Sequence, residues 1–268
     1  MKIVTLIEDT CGNPACSYEH GLSVYIETEK HKILVDTGAT AAFLANARII
    51  GIDLNQVDTV ILSHGHYDHG GGIPAFSKQN AHACIYIQRG AFGDFYHGER
   101  YIGIAKEIAA LPQVRLLDGD CRIDEELSVF THVTGRRLWA KSNLQLKRRV
   151  EGLEVQDEFE HEQCLVITKG DKRVLLSGCA HNGILNILDR YREIYGDMPH
   201  IVISGFHLMK KGEYSPEEEE NIRQTTGELA SFDTVFYTGH CTGQAAFDLM
   251  KPLMGEKLMQ LHSGMRIL

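Results

Sequence analysis

Within six residues the chain places His64, His66, Asp68 and His69, flanked by Ser63 and by Gly70-Gly71-Gly72. Imidazole nitrogen and carboxylate oxygen are ligands for Zn, Fe or Mn. Three histidines and an aspartate in one short turn cannot all reach a single ion with good geometry, so the run reads as donors divided between two ions. The glycines let the backbone fold tightly beneath them. The chemistry expected is hydrolytic. Two divalent transition-metal ions, Zn first with Mn or Fe as alternatives, bring the pKa of a water toward neutrality, and the resulting hydroxide attacks a carbonyl carbon or a phosphorus. Asp68 is the expected catalytic carboxylate, orienting both a metal and the nucleophile. A solvent-facing His-rich turn is the bland alternative, but such a ligand set seldom arises without a metal role. His207 follows the apolar run Ile201–Ser204 in a turn with Gly205, which makes it the candidate proton donor or substrate contact.

The elements that must position these groups are legible as short apolar runs. Strands are expected at Lys2–Ile7, Leu22–Glu27, Lys32–Val35 and Val60–Leu62, the last running directly into Ser63-His64. A short apolar run followed by loop chemistry suits a strand buried on both faces. Further strands are expected at Cys84–Gln88, Leu127–Phe130, Cys164–Thr168, Val174–Ser177, Ile201–Ser204 and Thr234–Tyr237. The stretch Ala39–Ile50 has helical length. Ile184, Leu185, Ile187, Leu188, Tyr191 and Ile194 form a helical stripe, and Ala245–Leu253 is a further helix. Ser215-Pro216-Glu217-Glu218 is a helix start: a capping Ser, Pro in the first turn, then acids at the positive end of the dipole. Strands come first, then strand and helix alternate, which predicts an α+β chain of two sheets with helices outside. No repeat, low-complexity tract or linker is visible, so one domain over 1–268 is expected. Residues 89–160, the least regular stretch, are read as a substrate-wall insertion carrying Tyr96, His97, Arg100, Tyr101, Trp139 and the basic cluster Lys147-Arg148-Arg149. That cluster is expected on a solvated loop or helix face.

Composition narrows the function. The 268 residues carry a formal net charge of -9, which argues against a nucleic-acid surface, since phosphate backbones call for clustered Lys and Arg. Seven cysteines at irregular spacing are no disulfide framework and contain no CxxC pair. Reduced thiols, no signal peptide and no run of ~20 apolar residues place the protein in the cytoplasm, away from membranes, with a small-molecule substrate and an undetermined oligomeric state.

The HxHxDH run after a buried strand resembles the signature of the metallo-β-lactamase superfamily. Glu19-His20-Gly21-Leu22-Ser23 and Ile33-Leu34-Val35-Asp36-Thr37-Gly38 resemble its opening hairpin. Ser177-Gly178-Cys179-Ala180-His181-Asn182-Gly183-Ile184, Ser204-Gly205-Phe206-His207-Leu208 and Tyr237-Thr238-Gly239-His240-Cys241-Thr242-Gly243 resemble the branch named for a methanopterin-pathway enzyme, a dihydropterin ribofuranosylaminobenzene-phosphate synthase. The resemblance implies an αββα sandwich of two mixed β-sheets with helices on the outer faces. It implies His64 and His66 as ligands of a first metal, and Asp68, His69 and His240 as ligands of a second. Where the family places a bridging Asp after Ser-Gly, this chain has Cys179. The third ligand of the first metal is assigned to His181, with Asp157, His161 and Glu162 as other candidates; His20 is a weaker one at the mouth of the site. Cys179 and Cys241 are read as buried thiols. The expected function is a metal-dependent hydrolase of an ester, phosphoester, lactone or related bond. The alternatives are a pterin-type transferase with a metal-bound pyrophosphate leaving group, a di-iron redox protein and a non-catalytic binding module.

Overall fold

A computed structural model describes residues 1–268. The chain divides into two compact units: residues 1–119, 148–155 and 261–268 form the first, and residues 120–147 and 156–260 the second.

The first unit is built on a six-stranded sheet in the order Lys2–Ile7, Ser23–Glu27, Lys32–Val35, Thr59–Ile61, Cys84–Gln88, Val114–Leu117. The first three strands pair antiparallel and the rest parallel. Helix Ala42–Ile50 buries Phe43 and Ala47 against Val4, Leu6, Leu34 and Val60. It ends at Gly51, which takes the left-handed conformation with φ 77° that costs glycine least. Two of its sheet's strands contribute side chains at Ile33–Val35 and Val60–Ile61 that are almost wholly buried, which is why they read as continuous apolar runs rather than alternating ones.

A small four-stranded sheet, in the order Leu153–Gln156, Leu146–Val150, Asp94–His97, Arg100–Tyr101, was not expected. It takes up much of the stretch read as irregular. The basic cluster Lys147-Arg148-Arg149 lies on its Leu146–Val150 strand, not on a loop or a helix face. Pairing with a neighbouring strand, not solvation alone, fixes that backbone.

The second unit carries a seven-stranded sheet in the order Leu258–Gln260, Val235–Thr238, Ile201–Ile203, Lys172–Leu176, Cys164–Lys169, Leu127–Phe130, Cys121–Arg122. Its first four strands run parallel and the others antiparallel. Helix Ile184–Tyr195 buries Ile184, Leu185, Ile187, Leu188 and Tyr191, the stripe expected. Helix Pro216–Ser231 starts at Ser215 with a full capping box: Ser215 Oγ accepts from Glu218 N, and Glu218 accepts from Ser215 N at 2.7 Å. The Lys210 ammonium and the Ser215 N–H hold the Glu218 carboxyl down at about 2. Helix Gln244–Met254 packs Ala246 and Met250 into the same core. Two large mixed sheets with helices make this an α+β chain, as expected. No helix is long and apolar enough to cross a membrane.

Candidate metal centre

In the first unit the strand Thr59–Ile61 ends in Leu62-Ser63, and the motif follows at once. A short helix over Tyr67–Gly70 then turns the chain so that His64, His66 and His69 converge. The ring centroid of His64 lies 4.6 Å from that of His66 and 4.1 Å from that of His69. All three rings are buried, as is Asp68 at 8% exposure. His69 Nε2 stands 3.9 Å from Asp68 Oδ2. Gly65 is required here, because a Cβ on it would meet Ala91 O at 2.2 Å.

One residue organises this cluster. Asp36, wholly buried, accepts through Oδ1 from Ser63 N at 2.7 Å, and through Oδ2 from Ser63 Oγ at 2.7 Å. Its Oδ2 also lies 2.6 Å from His69 Nδ1. Ser63 Oγ in turn lies 2.9 Å from His64 Nδ1. With Nδ1 engaged on both rings, Nε2 is the nitrogen that each could offer a metal. A carboxylate behind an imidazole fixes its tautomer and raises its basicity toward a metal. Asp36 has φ 58°, a left-handed conformation uncommon outside glycine. The buried hydrogen bonds it makes offset that cost. On the other side of Asp68, His20 Nε2 lies 3.4 Å from Asp68 Oδ2 and its Nδ1 lies 2.7 Å from Asp9 Oδ2. His20 is 47% exposed at its side chain, so this arm faces solvent.

In the second unit His181 follows the strand Lys172–Leu176 across the turn Ser177–Ala180. Its Nδ1 lies 3.1 Å from Asn143 Oδ1, and its carbonyl accepts from Asn143 Nδ2 at 2.8 Å and from Trp139 Nε1 at 2.6 Å. Phe159 stacks on the ring at 4.5 Å between centroids with 6° between planes. The His207 ring lies 4.2 Å from that of His181. Ser142 Oγ lies 3.1 Å from His207 Nδ1 and donates to His207 O at 2.7 Å. With Nδ1 beside Ser142, Nε2 is the nitrogen that His207 could offer a ligand. His207 and His240 also take left-handed backbone, φ 49° and 48°, as does Ala180 at 51°. Strained backbone of this kind persists where surrounding contacts over-determine it.

Glu162 is one of two buried carboxylates of this unit, beside Asp157, and it serves as a cap. Oε1 accepts from His181 N at 2.7 Å; Oε2 accepts from Asn182 N at 2.9 Å and from Asn182 Nδ2 at 2.8 Å. Burial pushes its carboxyl above the ordinary range, and the Asn182 and His181 N–H groups pull it back. Asp157 accepts from Phe159 N at 2.9 Å and lies 3.2 Å from His161 Nε2. Cys241 Sγ accepts from His207 N at 3.3 Å. A Cβ on Gly205 would meet that sulfur at 2.4 Å, which makes this glycine obligatory. Burial, then the charge of Glu162, pushes the Cys164 thiol well up, so Cys164 is inert. Cys179 is buried as well.

Donor groups suited to a metal thus occur in both units: His64, His66, His69, Asp9 and His20 in the first, and Cys179, His181, His240, Asp157 and His161 in the second. The chemistry of this set fits divalent transition metals, with imidazole nitrogen predominant and carboxylate or thiolate beside it. The residues that hold the rings, Asp36, Ser63, Asn143 and Ser142, were not identified as such from the sequence. The signal nearest to one was the Asp-Thr-Gly that ends the strand Lys32–Val35.

The profile of the metallo-beta-lactamase superfamily matches residues 18–136. A 7,8-dihydropterin-6-methyl-4-(beta-D-ribofuranosyl)-aminobenzene-5'-phosphate synthase of Methanocaldococcus jannaschii is 30% identical over 293 residues, which cover 98% of this chain and 95% of the relative. Among solved structures, a metal-dependent hydrolase of the beta-lactamase superfamily is 30% identical with a TM-score of 0.82, over 100% of this chain and 98% of the other. The Zn(2+)-bound PqqB of Methylobacterium extorquens shares the fold at 14% identity, with a TM-score of 0.61 over 100% of both chains.

Proposed function

This chain belongs to the metallo-β-lactamase superfamily, and from that premise we propose that it is a metal-dependent hydrolase of an ester, phosphoester, lactone or related bond in a small molecule. The observation that carries the reading is the convergence of His64, His66 and His69 with the Nδ1 atoms of His64 and His69 held from behind by Ser63 and Asp36. Rings locked in that way, next to Asp68, are arranged as metal ligands rather than as a solvated turn.

His64, His66 and His181 are assigned to one ion, and Asp68, His69 and His240 to a second, with Zn the first choice and Mn or Fe the alternatives. When bound, the cations supply Lewis-acid polarisation of the scissile group and acidify water. Asp68 orients the nucleophile. His207, its Nδ1 beside Ser142 Oγ at 3.1 Å, delivers a proton from Nε2 to the leaving oxygen. The stretch 89–160 supplies substrate-facing residues. A second reading, a pterin-type transferase that expels pyrophosphate, is favoured by the synthase from Methanocaldococcus jannaschii, which matches at the same 30% identity as the hydrolase.

Metal loading followed by elemental analysis and a panel of ester and phosphodiester substrates tests the assignment. About two ions per chain are expected, with substrate cleavage by water. Asp68→Ala is expected to lower metal content and turnover together. His207→Ala is expected to keep metal and lose turnover; equal metal loss in both variants would overturn its role as proton donor. Protein that takes up no transition metal would end the hydrolase reading. Pyrophosphate release from a pyrophosphate-activated pterin without ester cleavage would replace it with the transferase.

A further inference from the structure

The mechanism leaves unused the arginine and tyrosines of the small sheet. The segment 102–104, directly after the strand Arg100–Tyr101, is hydrogen-bonded to the metal motif itself: Tyr67 N donates to Ile102 O at 2.8 Å, Ile104 N donates to Gly65 O at 3.2 Å, and His66 and Gly103 form an antiparallel bridge. The backbone that carries the ligands is thereby registered against the backbone that carries Arg100. Arg100 reaches back to the motif. Its guanidinium carbon sits 4.8 Å from the centre of the Tyr67 ring, and its Nη2 donates to Tyr67 Oη at 2.7 Å. Tyr67 stands between two of the proposed ligands in sequence, His66 and Asp68.

Arg100 is set apart by what it rests on, a tyrosine of the metal motif. Arg89, Arg136, Arg137, Arg173, Arg190 and Arg223 each lie within ion-pair distance of a carboxylate. Arg100 is exposed, holds a phenol and has no carboxylate partner, in a chain whose net charge is -9. A guanidinium laid on an aromatic ring is oriented before any ligand arrives, and its remaining N–H groups form a planar fork that fits two oxygens of an oxyacid. Alternation along the strand Arg100–Tyr101 puts the two side chains on opposite faces. Tyr101 faces Tyr96, 5.4 Å away, and Arg149 sits 4.0 Å over Tyr96. Arg149 is thus a second arginine on a tyrosine, on the face away from Arg100.

We propose that Arg100, seated on Tyr67, recognises an anionic substituent of the substrate, a phosphate or a carboxylate. This rests on the reading of the motif as the reaction centre, and narrows the substrate class from any hydrolysable small molecule to one that carries an oxyanion beyond the bond that is cut.

Calorimetric binding of phenyl phosphate and of benzoate to the full chain tests it, with benzyl alcohol as the uncharged counterpart. Titrations are run on metal-loaded and chelator-treated protein, and on Asp68→Ala. Arg100→Gln is expected to weaken one of the two anions by about tenfold or more in every background, the loss of a charge-assisted hydrogen bond. Arg100→Lys is expected to restore little of it, because an ammonium cannot reproduce the fork, and Arg149→Gln is expected to match the unsubstituted protein. Phosphate rather than benzoate as the dependent probe would assign a phosphorylated substrate, and the reverse a carboxylated one. Binding that disappears on chelation and is indifferent to Arg100 would overturn the proposal by placing the anion on metal alone. Equal loss in Arg149→Gln would overturn it as well, by reducing the effect to general surface charge. Arg100 dependence that persists in chelated protein supports the site even where metal loading fails, so the two readings fail separately.

Discussion

The two units hold their histidines by different chemistry. In the first, a buried carboxylate stands behind the rings: Asp36 contacts His69 Nδ1 directly and reaches His64 through Ser63. In the second, Glu162 caps backbone N–H groups and Asp157 lies beside His161, while the rings of His181 and His207 are held by neutral partners, Asn143 behind His181 and Ser142 behind His207. A carboxylate behind an imidazole strengthens it as a donor to a metal. An amide or hydroxyl fixes orientation without adding charge. The first unit is therefore organised to bind a cation strongly. The second presents oriented imidazoles at lower electrostatic cost, which suits the proton-donor role proposed for His207.

The largest test of this contrast is Asp36→Ala. It strands Ser63 N, Ser63 Oγ and His69 Nδ1 in a fully buried position, and is expected to cost about 3–5 kcal/mol of stability together with roughly 10- to 100-fold in metal affinity. Urea denaturation and metal titration read the two effects; wild-type values in both would dissolve the distinction between the units. Glu162→Gln comes next. Its new amide group turns an N–H toward donors that previously met a carboxylate oxygen, at an expected cost of about 1–3 kcal/mol and with less effect on metal affinity than Asp36→Ala. A larger metal effect than that of Asp36→Ala would mean that the backbone cap, not the carboxylate behind the ring, governs the ligands. Ser142→Ala is the mildest, about 1 kcal/mol. It is expected to appear as slower turnover with metal content unchanged, because only the orientation of His207 is lost.

The sequence disclosed elements that bury apolar surface on a simple period. The runs at Lys2–Ile7, Lys32–Val35, Cys84–Gln88 and Leu127–Phe130 stand where they were read, and the capped start at Ser215 is intact. It did not disclose the small sheet. Arg100–Tyr101 is exposed throughout and Leu153–Gln156 nearly so, so neither strand carries the alternation that marks a half-buried one. Val114–Leu117 was missed for a related reason: Arg115 interrupts an apolar run of only four residues. Among site residues, the ligand candidates were visible because His-rich spacing is rare. Asp36 and Asn143 were not, since a buried Asp or Asn has the same letter as an exposed one. What distinguishes them is burial and, for Asp36, a left-handed backbone, both properties of the fold.

The outer edge of the first sheet depends on residues far away along the chain. Beside the strand Lys2–Ile7 lies the segment 261–268: Thr5 N donates to Met265 O at 2.9 Å, Ile267 N donates to Ile3 O at 2.8 Å, and Ser263 Oγ joins Glu8 across 255 positions of sequence. Closing a loop of that length rather than a short one of ~16 residues adds only about 2.4 kcal/mol of entropy, four doublings, so equilibrium stability is little burdened. The rate is another matter, because non-local pairing slows folding. Until the segment 261–268 docks, Lys-Ile-Val-Thr-Leu-Ile presents an open apolar strand edge, the kind of surface on which chains pair with one another instead of with themselves. Refolding yield should therefore fall as protein concentration rises.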